Sequence, residues 1–129
     1  MAVTHSTSAL NASTDAVTAL IGATGKLKFR LAGTLAAPGT AAATLTFSAT
    51  AFGAAAVGVA TANAITSDTA AAGNATAVAN ASFETAAGVL IVHVSVAASA
   101  SDINMTGGLV IGAGDTVSCS SLTYKAINA

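Results

Sequence analysis

The sequence predicts an all-β domain, an antiparallel β-sandwich or jelly roll, with one short N-terminal α-helix. Three observations carry this. Lys26 to Leu31, KLKFRL, alternates strictly between apolar and basic residues, the period of a half-buried strand. About seven or eight short apolar runs follow one another, separated by Gly-, Asn- or Asp-containing turn signals. Only Ser8 to Ile21 shows helical spacing, with Leu10, Ala16, Val17, Leu20 and Ile21 falling near one face.

In chain order, residues 1–7 lack periodicity and read as a polar N-terminal arm, disordered or ordered only on a neighbouring subunit. Residues 8–129 read as a single β-sandwich domain that includes the helix at about 8–21. Ser6, Thr7 or Ser8 is placed to cap that helix, and Gly22 to end it. Asn11, Thr14 and Thr18 are poor helix formers and weigh against it. After the KLKFRL strand, Ala32 to Ala42 carries Gly33, Pro38 and Gly39 and reads as a loop. The chain is organised around Thr44 to Ile65: a strand with Leu45 and Phe47 inward, a corner punctuated by Gly53 and Gly58, and a second strand from Val57 or Val59 onward. Phe47 and Phe52 are its bulkiest anchors.

Ser67 to Asn74 is a loop. Ala77, Ala79, Ala81 and Phe83 then form one face of a strand, with Val78, Asn80, Ser82 and Glu84 on the other. Val89 to Ala97 is the most apolar strand, with Leu90, Val92, Val94 and Val96 as a buried row and His93 on the opposite face beside Ile91 and Ser95. Leu109 to Ile111 reads as a short strand and Gly112 to Asp115 as a tight turn. Thr116 to Ile127 reads as the last strand, with a bulge near Ser120 and Ser121 to reconcile Val117 and Cys119 with Leu122 and Tyr124.

Composition bounds the function. The 129 residues carry four Lys and Arg against five Asp and Glu, a net charge of −1. That argues against nucleic-acid binding, which needs a basic field, and against intrinsic disorder, which goes with high charge. The mean hydropathy of +0.75 comes mostly from Ala and Val. No apolar run reaches the roughly 18 residues of a membrane span. The start, Met-Ala-Val-Thr-His-Ser, lacks the basic region and apolar core of a signal peptide, so the chain is expected to be made and used without classical secretion. A lone cysteine, Cys119, allows no intrachain disulfide. Nine Leu, six Ile, eleven Val and four Phe make a thin core, which points to support from a partner surface or from self-association.

Four segments carry a family resemblance: Leu45-Thr46-Phe47-Ser48; Ala51-Phe52-Gly53-Ala54-Ala55; Gly58 to Thr66, GVATANAIT; and Gly112 to Tyr124, GAGDTVSCSSLTY. From about Ser8 onward the chain resembles the capsid decoration, or cement, proteins encoded beside the head genes of tailed bacteriophages. The resemblance implies a jelly-roll β-sandwich on the outer capsid surface of the virion, bridging major capsid subunits. It also implies a homo-oligomer, a dimer favoured over a trimer. It brings no catalytic motif, so no site residue is carried over and neither enzymatic activity nor a cofactor is expected.

The candidate residues each have an ordinary reading. His5 and His93 are the only histidines and have no visible set of companion metal ligands. Cys119 is either a nucleophile or a small buried residue, the latter favoured. Gly22-Ala23-Thr24-Gly25-Lys26 lacks the upstream glycine and the following Ser or Thr of a phosphate loop, and a helix stop explains it better. Lys26, Lys28 and Arg30 place three of the four basic residues on one strand face. They read either as a solvated face that discourages edge pairing or as a docking surface for an acidic patch of the major capsid protein. The alternative function is a tail or fibre-associated module recognising a host surface, which should show exposed aromatics in its loops.

Overall fold

The computed structural model describes residues 3–126. Its elements are α1 (Thr7–Ala19), β1 (Lys26–Arg30), β2 (Ala41–Phe47), β3 (Val59–Thr61), β4 (Ile65–Thr66), β5 (Asn80–Glu84), β6 (Leu90–Ala97), β7 (Ile103–Asn104) and β8 (Thr123–Lys125). Six strands form one curled sheet, a half-barrel, in the order β4-β2-β1-β5-β6-β7. β3 and β8 make a separate two-stranded ribbon. The protein is therefore mostly β with one helix. The sheet is mixed, because β7 runs parallel to β6. Asp102 accepts hydrogen bonds from the Ser95 amide and hydroxyl, each at 3.0 Å, and folds the intervening loop back along the strand it has just left.

The KLKFRL alternation places Leu27 and Phe29 on the core face of β1, both buried. Cross-strand register carries that face outward in both directions. Leu27 sits between Leu45 and Phe83, and Phe29 between Ala43 and Ala81. Phe47, Phe52, Phe83 and Tyr124 close the interior in a chain of tilted and edge-on ring contacts with centroids 5.6 to 6.2 Å apart, within the favourable range for aromatic pairs. The stretch from Thr44 to Ile65 thus supplies two of the four rings. Gly25 lies where a Cβ would come within 2.5 Å of the Glu84 carbonyl. The turn after α1 can enter β1 at that point only without a side chain.

β5 is buried on both faces, Asn80, Ser82 and Glu84 included. Several expectations are corrected. The row Leu90, Val92, Val94, Val96 holds at Val92, Val94 and Val96 and is broken at Leu90. Phe83 pairs with Val92 but Glu84 with Leu90, leaving Ile91 as a bulge that packs on the core with Val92 and Val94. The extra residue switches face assignments, which periodicity alone does not reveal. It also twists the margin of a strand that β7 covers only at Val96 and Ala97, a known protection against edge pairing. The final strand is shorter than Thr116 to Ile127. Its two alternation phases have different partners: Val117 bridges Asp68, while Thr123 to Lys125 pair with β3. Leu109 and Ile111 form no strand and instead accept single hydrogen bonds from Val78 and Asn74. Met1 and Ala2 of the predicted arm and Ile127 of the predicted strand lie outside the described residues.

Ser6 caps α1, accepting from the Ala9 amide at 3.2 Å, so Thr7 belongs to the helix and not to the arm. The predicted apolar face docks only in part: Ile21 is buried in the core and Leu10 lies against Gly58. Leu20 is 61% exposed, and the buried helix side chains are Thr14 and Thr18.

Candidate functional site

Lys26, Lys28 and Arg30 share one face of β1, opposite Glu84, Ser82 and Asn80 of β5. Cross-strand neighbours on one face lie about 5 Å apart, so the long basic side chains lie across the shorter residues and cover them. Arg30 is only 7% exposed. Its Nη2 donates to Glu84 Oε2 at 2.6 Å, its Nε to Ser82 Oγ at 3.0 Å and its Nη1 to the Gly39 carbonyl at 2.5 Å. Ser82 donates in turn to Glu84 Oε2 at 2.6 Å. Lys28 Nζ lies 3.3 Å from Glu84 Oε1, an ion pair without hydrogen-bond alignment. Lys26 Nζ donates to Thr46 Oγ1 at 3.0 Å.

The triplet is therefore neither a solvated face nor a free basic patch. Buried Arg30 and half-buried Lys28 are the positive side of an ion-pair cluster whose carboxylate, Glu84, was not among the predicted site residues, while half-buried Lys26 is held on Thr46. Burial alone pushes the Glu84 carboxyl up. The hydrogen bonds from Ser82 and Arg30 and the charges of Lys28 and Arg30 outweigh it and hold the group below its ordinary 4.5.

A second polar constellation joins the helix to the hairpin before β3. Asn11, Thr14, Asp15 and Thr18 recur at i, i+3, i+4 and i+7, the spacing of one helical face. Asn11 Oδ1 accepts from the Gly58 amide at 2.7 Å, Thr14 Oγ1 donates to the Gly58 carbonyl at 2.6 Å, and Asp15 Oδ1 accepts from the Ala55 amide at 2.8 Å. The Ala126 amide donates to Thr14 Oγ1 at 3.2 Å. The helix faces backbone groups of a turn, and those groups need hydrogen-bonding partners rather than methyl groups. Asn11 and Thr14, which weigh against a helix on propensity, are two of the three residues that dock it. Thr14→Val, which keeps the shape and removes the hydroxyl, should lower unfolding free energy by about 1–3 kcal/mol. Urea titration of the two proteins measures the difference, and an unchanged midpoint would show that the clamp carries no weight.

The remaining candidates have structural surroundings. His93 is half-buried, with an Nδ1 that makes no hydrogen bond. The Cys119 thiol donates to the Ser121 carbonyl at 3.3 Å, and burial pushes its pKa up against that bond, away from a reactive thiolate. Among the described residues no group of three or more His, Cys, Asp and Glu is placed to hold a metal ion. Gly22 to Lys26 is the helix stop and the turn into β1, with positive φ at Gly22 and Thr24. A cleft of about 570 Å³ runs over Phe29, between the segments 102–108 and 115–123. The carboxylates on its wall bind their own loops, Asp102 at Ser95 and Asp115 at the Gly112 amide.

Charge is engaged within the chain almost everywhere. Of the nine charged side chains, four basic and five acidic, eight make a hydrogen bond or ion pair to another part of the protein: Lys26, Lys28, Arg30 and Glu84 in the cluster, and Asp15, Asp68, Asp102 and Asp115 at backbone amides. Among the described residues no helix is long and apolar enough to cross a membrane. Comparison of the chain with protein-family models, with curated proteins and with solved structures finds no match in any of the three.

Proposed function

We propose that this protein is a structural component of a bacteriophage virion, a decoration or cement protein that binds the outer surface of the head and stabilises contacts between major capsid subunits. The observation that carries the reading is that eight of the nine charged side chains are engaged by other groups of the same chain, although Asp102 and Asp115 stay at the surface. This leaves a surface with few free charges, made largely of small residues, with exposed Leu20, Leu35, Val57, Val89 and Val110. Such a surface recognises a protein by shape and apolar contact. The family resemblance of the segments from Leu45 to Tyr124 supplies the partner, and the finer jelly-roll topology belongs to the same proposal.

Docking of an acidic patch through Lys26, Lys28 and Arg30 is not part of it, since Lys28 and Arg30 are already paired with Glu84 and Lys26 with Thr46. Each copy binds the assembled shell and not free subunits, so the shell gains stability by linkage, repeated over many symmetric sites. Self-association as a homo-oligomer on the head surface fits the thin core. The tail or fibre reading finds less support. Phe29, Phe47, Phe52 and Phe83 are buried, and Tyr124 packs its ring on Phe83, leaving no aromatic anchor for a host receptor among the described residues.

Quantitative mass spectrometry of purified virions tests this. Near-equality with the major capsid protein is expected. A few copies per particle would favour the tail reading, and absence would refute both.

A further inference from the structure

The hairpin entering β3 turns through Ala56-Val57-Gly58-Val59. The Ala56 and Val59 amides donate to each other's carbonyls at 2.9 and 3.0 Å. Both central residues have positive φ, Val57 at 51° and Gly58 at 78°, the signature of a type I′ turn. Asn, Asp or Gly is the usual first residue of that turn. A β-branched side chain there is a genuine outlier, because its Cβ substituents crowd the backbone. The turn is nonetheless held firmly. Asn11, Thr14 and Asp15 of α1 bind the Ala55 amide and both polar groups of Gly58. A Cβ on Gly58 would lie 3.1 Å from that of Leu10, so the helix abuts the turn directly.

The strained residue does not bury its side chain in return. Val57 is 72% exposed, the highest value among the large exposed apolar residues described. Backbone strain persists where surrounding structure over-determines it and concentrates at binding sites.

We infer that Val57 is the anchor residue of the capsid contact, an apolar knob held out by the helix clamp to enter an uncharged pocket of the shell protein. This rests on the functional reading above and names the part of the surface that carries it. The tip supports an uncharged apolar partner. Residues 54–59 contain no ionisable side chain, and the carboxylate beneath them, Asp15, is tied to the Ala55 amide. An acidic patch, a nucleic-acid backbone or an anionic lipid surface would gain nothing from such a tip. A rigid turn presenting one side chain loses little entropy on binding, the condition under which a single small residue can anchor a contact.

The test compares three full-length proteins, wild type, Val57→Asn and Val57→Ile, by thermal unfolding and by co-sedimentation with assembled heads that lack the protein. Val57→Asn should unfold about 4 °C higher, because Asn relaxes into the turn, yet bind heads about tenfold or more weakly. Val57→Ile, which keeps the knob and the strain, should match wild type in binding. A rise in melting temperature with a loss of binding is not what a merely structural turn would give. Equal head binding by wild type and Val57→Asn would overturn the inference while leaving the functional reading intact. A lower melting temperature for Val57→Asn would overturn the strain argument. Failure of wild type itself to bind heads would overturn the functional reading and this inference with it. If Val57→Asn instead dissociates a wild-type oligomer and binds heads normally, the tip is a contact between copies and the inference also falls.

Discussion

Glu84→Gln should lower the free energy of unfolding by about 3–5 kcal/mol, a large part of the roughly 5–15 kcal/mol that holds a typical domain together. Glu84 is 0% exposed and takes two hydrogen bonds on Oε2, from Arg30 and Ser82. The amide keeps the shape but removes the countercharge, leaving a 7%-exposed guanidinium without an anion. The loss measures an orphaned charge and not the net worth of the pair, because desolvation of both ions opposes their attraction. Arg30→Met combined with Glu84→Met should therefore be more stable than Glu84→Gln alone. Lys28, whose side chain is 28% exposed, can turn to solvent when its partner is gone. Guanidinium chloride unfolding of the single and double variants decides this, and a double variant no better than the single would show that the ion pair itself is strongly net stabilising.

The same carboxylate sets an acid dependence. Its folded pKa lies below the ordinary 4.5. The linked stability is thus fully present above pH 4.5 and is lost as pH falls through the folded value. Wild type should show a drop in melting temperature below pH 4.5 that Glu84→Gln lacks, because the variant has no proton to take up at that position. Parallel slopes for the two proteins across that range would contradict the assignment.

How far the sequence reveals this fold depends on whether one period governs a segment. β1 is legible to within a residue because KLKFRL has a single phase. Leu27 and Phe29 are buried as the alternation requires, and the basic residues share the other face. What alternation does not contain is depth. The opposite face of β1 is covered by its own long side chains and by the loop that supplies the Gly39 carbonyl, so a face read as solvated is a buried ion cluster. Its key was present in Asn80-Ala81-Ser82-Phe83-Glu84, where polar residues alternate opposite Lys26 to Arg30, but only the register between β1 and β5 brings them together. The helix failed in the other direction. Its apolar residues suggest a docking face that only Leu10 and Ile21 fulfil, whereas Asn11, Thr14, Asp15 and Thr18 hold the i, i+3, i+4, i+7 spacing, and three of them, Asn11, Thr14 and Thr18, count against a helix on propensity. That signal was readable, because a polar stripe at helical period can seat a helix on a turn as an apolar one seats it on a core. The bulge at Ile91 was not readable. A one-residue slip leaves the composition of VLIVHVSVA unchanged and reverses which of Leu90 and Ile91 meets the core.

Phe83→Ala should be as damaging as the loss of Glu84, about 3–5 kcal/mol, although its neighbour in sequence acts through charge and it acts through volume. The Phe83 ring lies 5.8 Å from Phe47, edge-on, 5.9 Å from Phe52 and 6.2 Å from Tyr124. Phe47 belongs to the curled sheet, Phe52 to the segment that bridges Ala62, and Tyr124 to the β3–β8 ribbon. Removing this ring opens a cavity where the three meet, and the ribbon has few other attachments of comparable size. The helix is clamped to the hairpin leading into the ribbon and to the Ala126 amide just after β8, so α1, β3 and β8 should loosen as one cooperative unit. Hydrogen exchange gives the decisive reading. In Phe83→Ala the amides of Ala60 and Tyr124 should lose protection more than those of Leu27 and Leu45, which the sheet holds independently. Phe83→Leu, filling part of the volume, should recover a substantial share of the stability. Uniform loss of protection across sheet and ribbon would show that the ring stabilises the domain as a whole and does not join two parts of it.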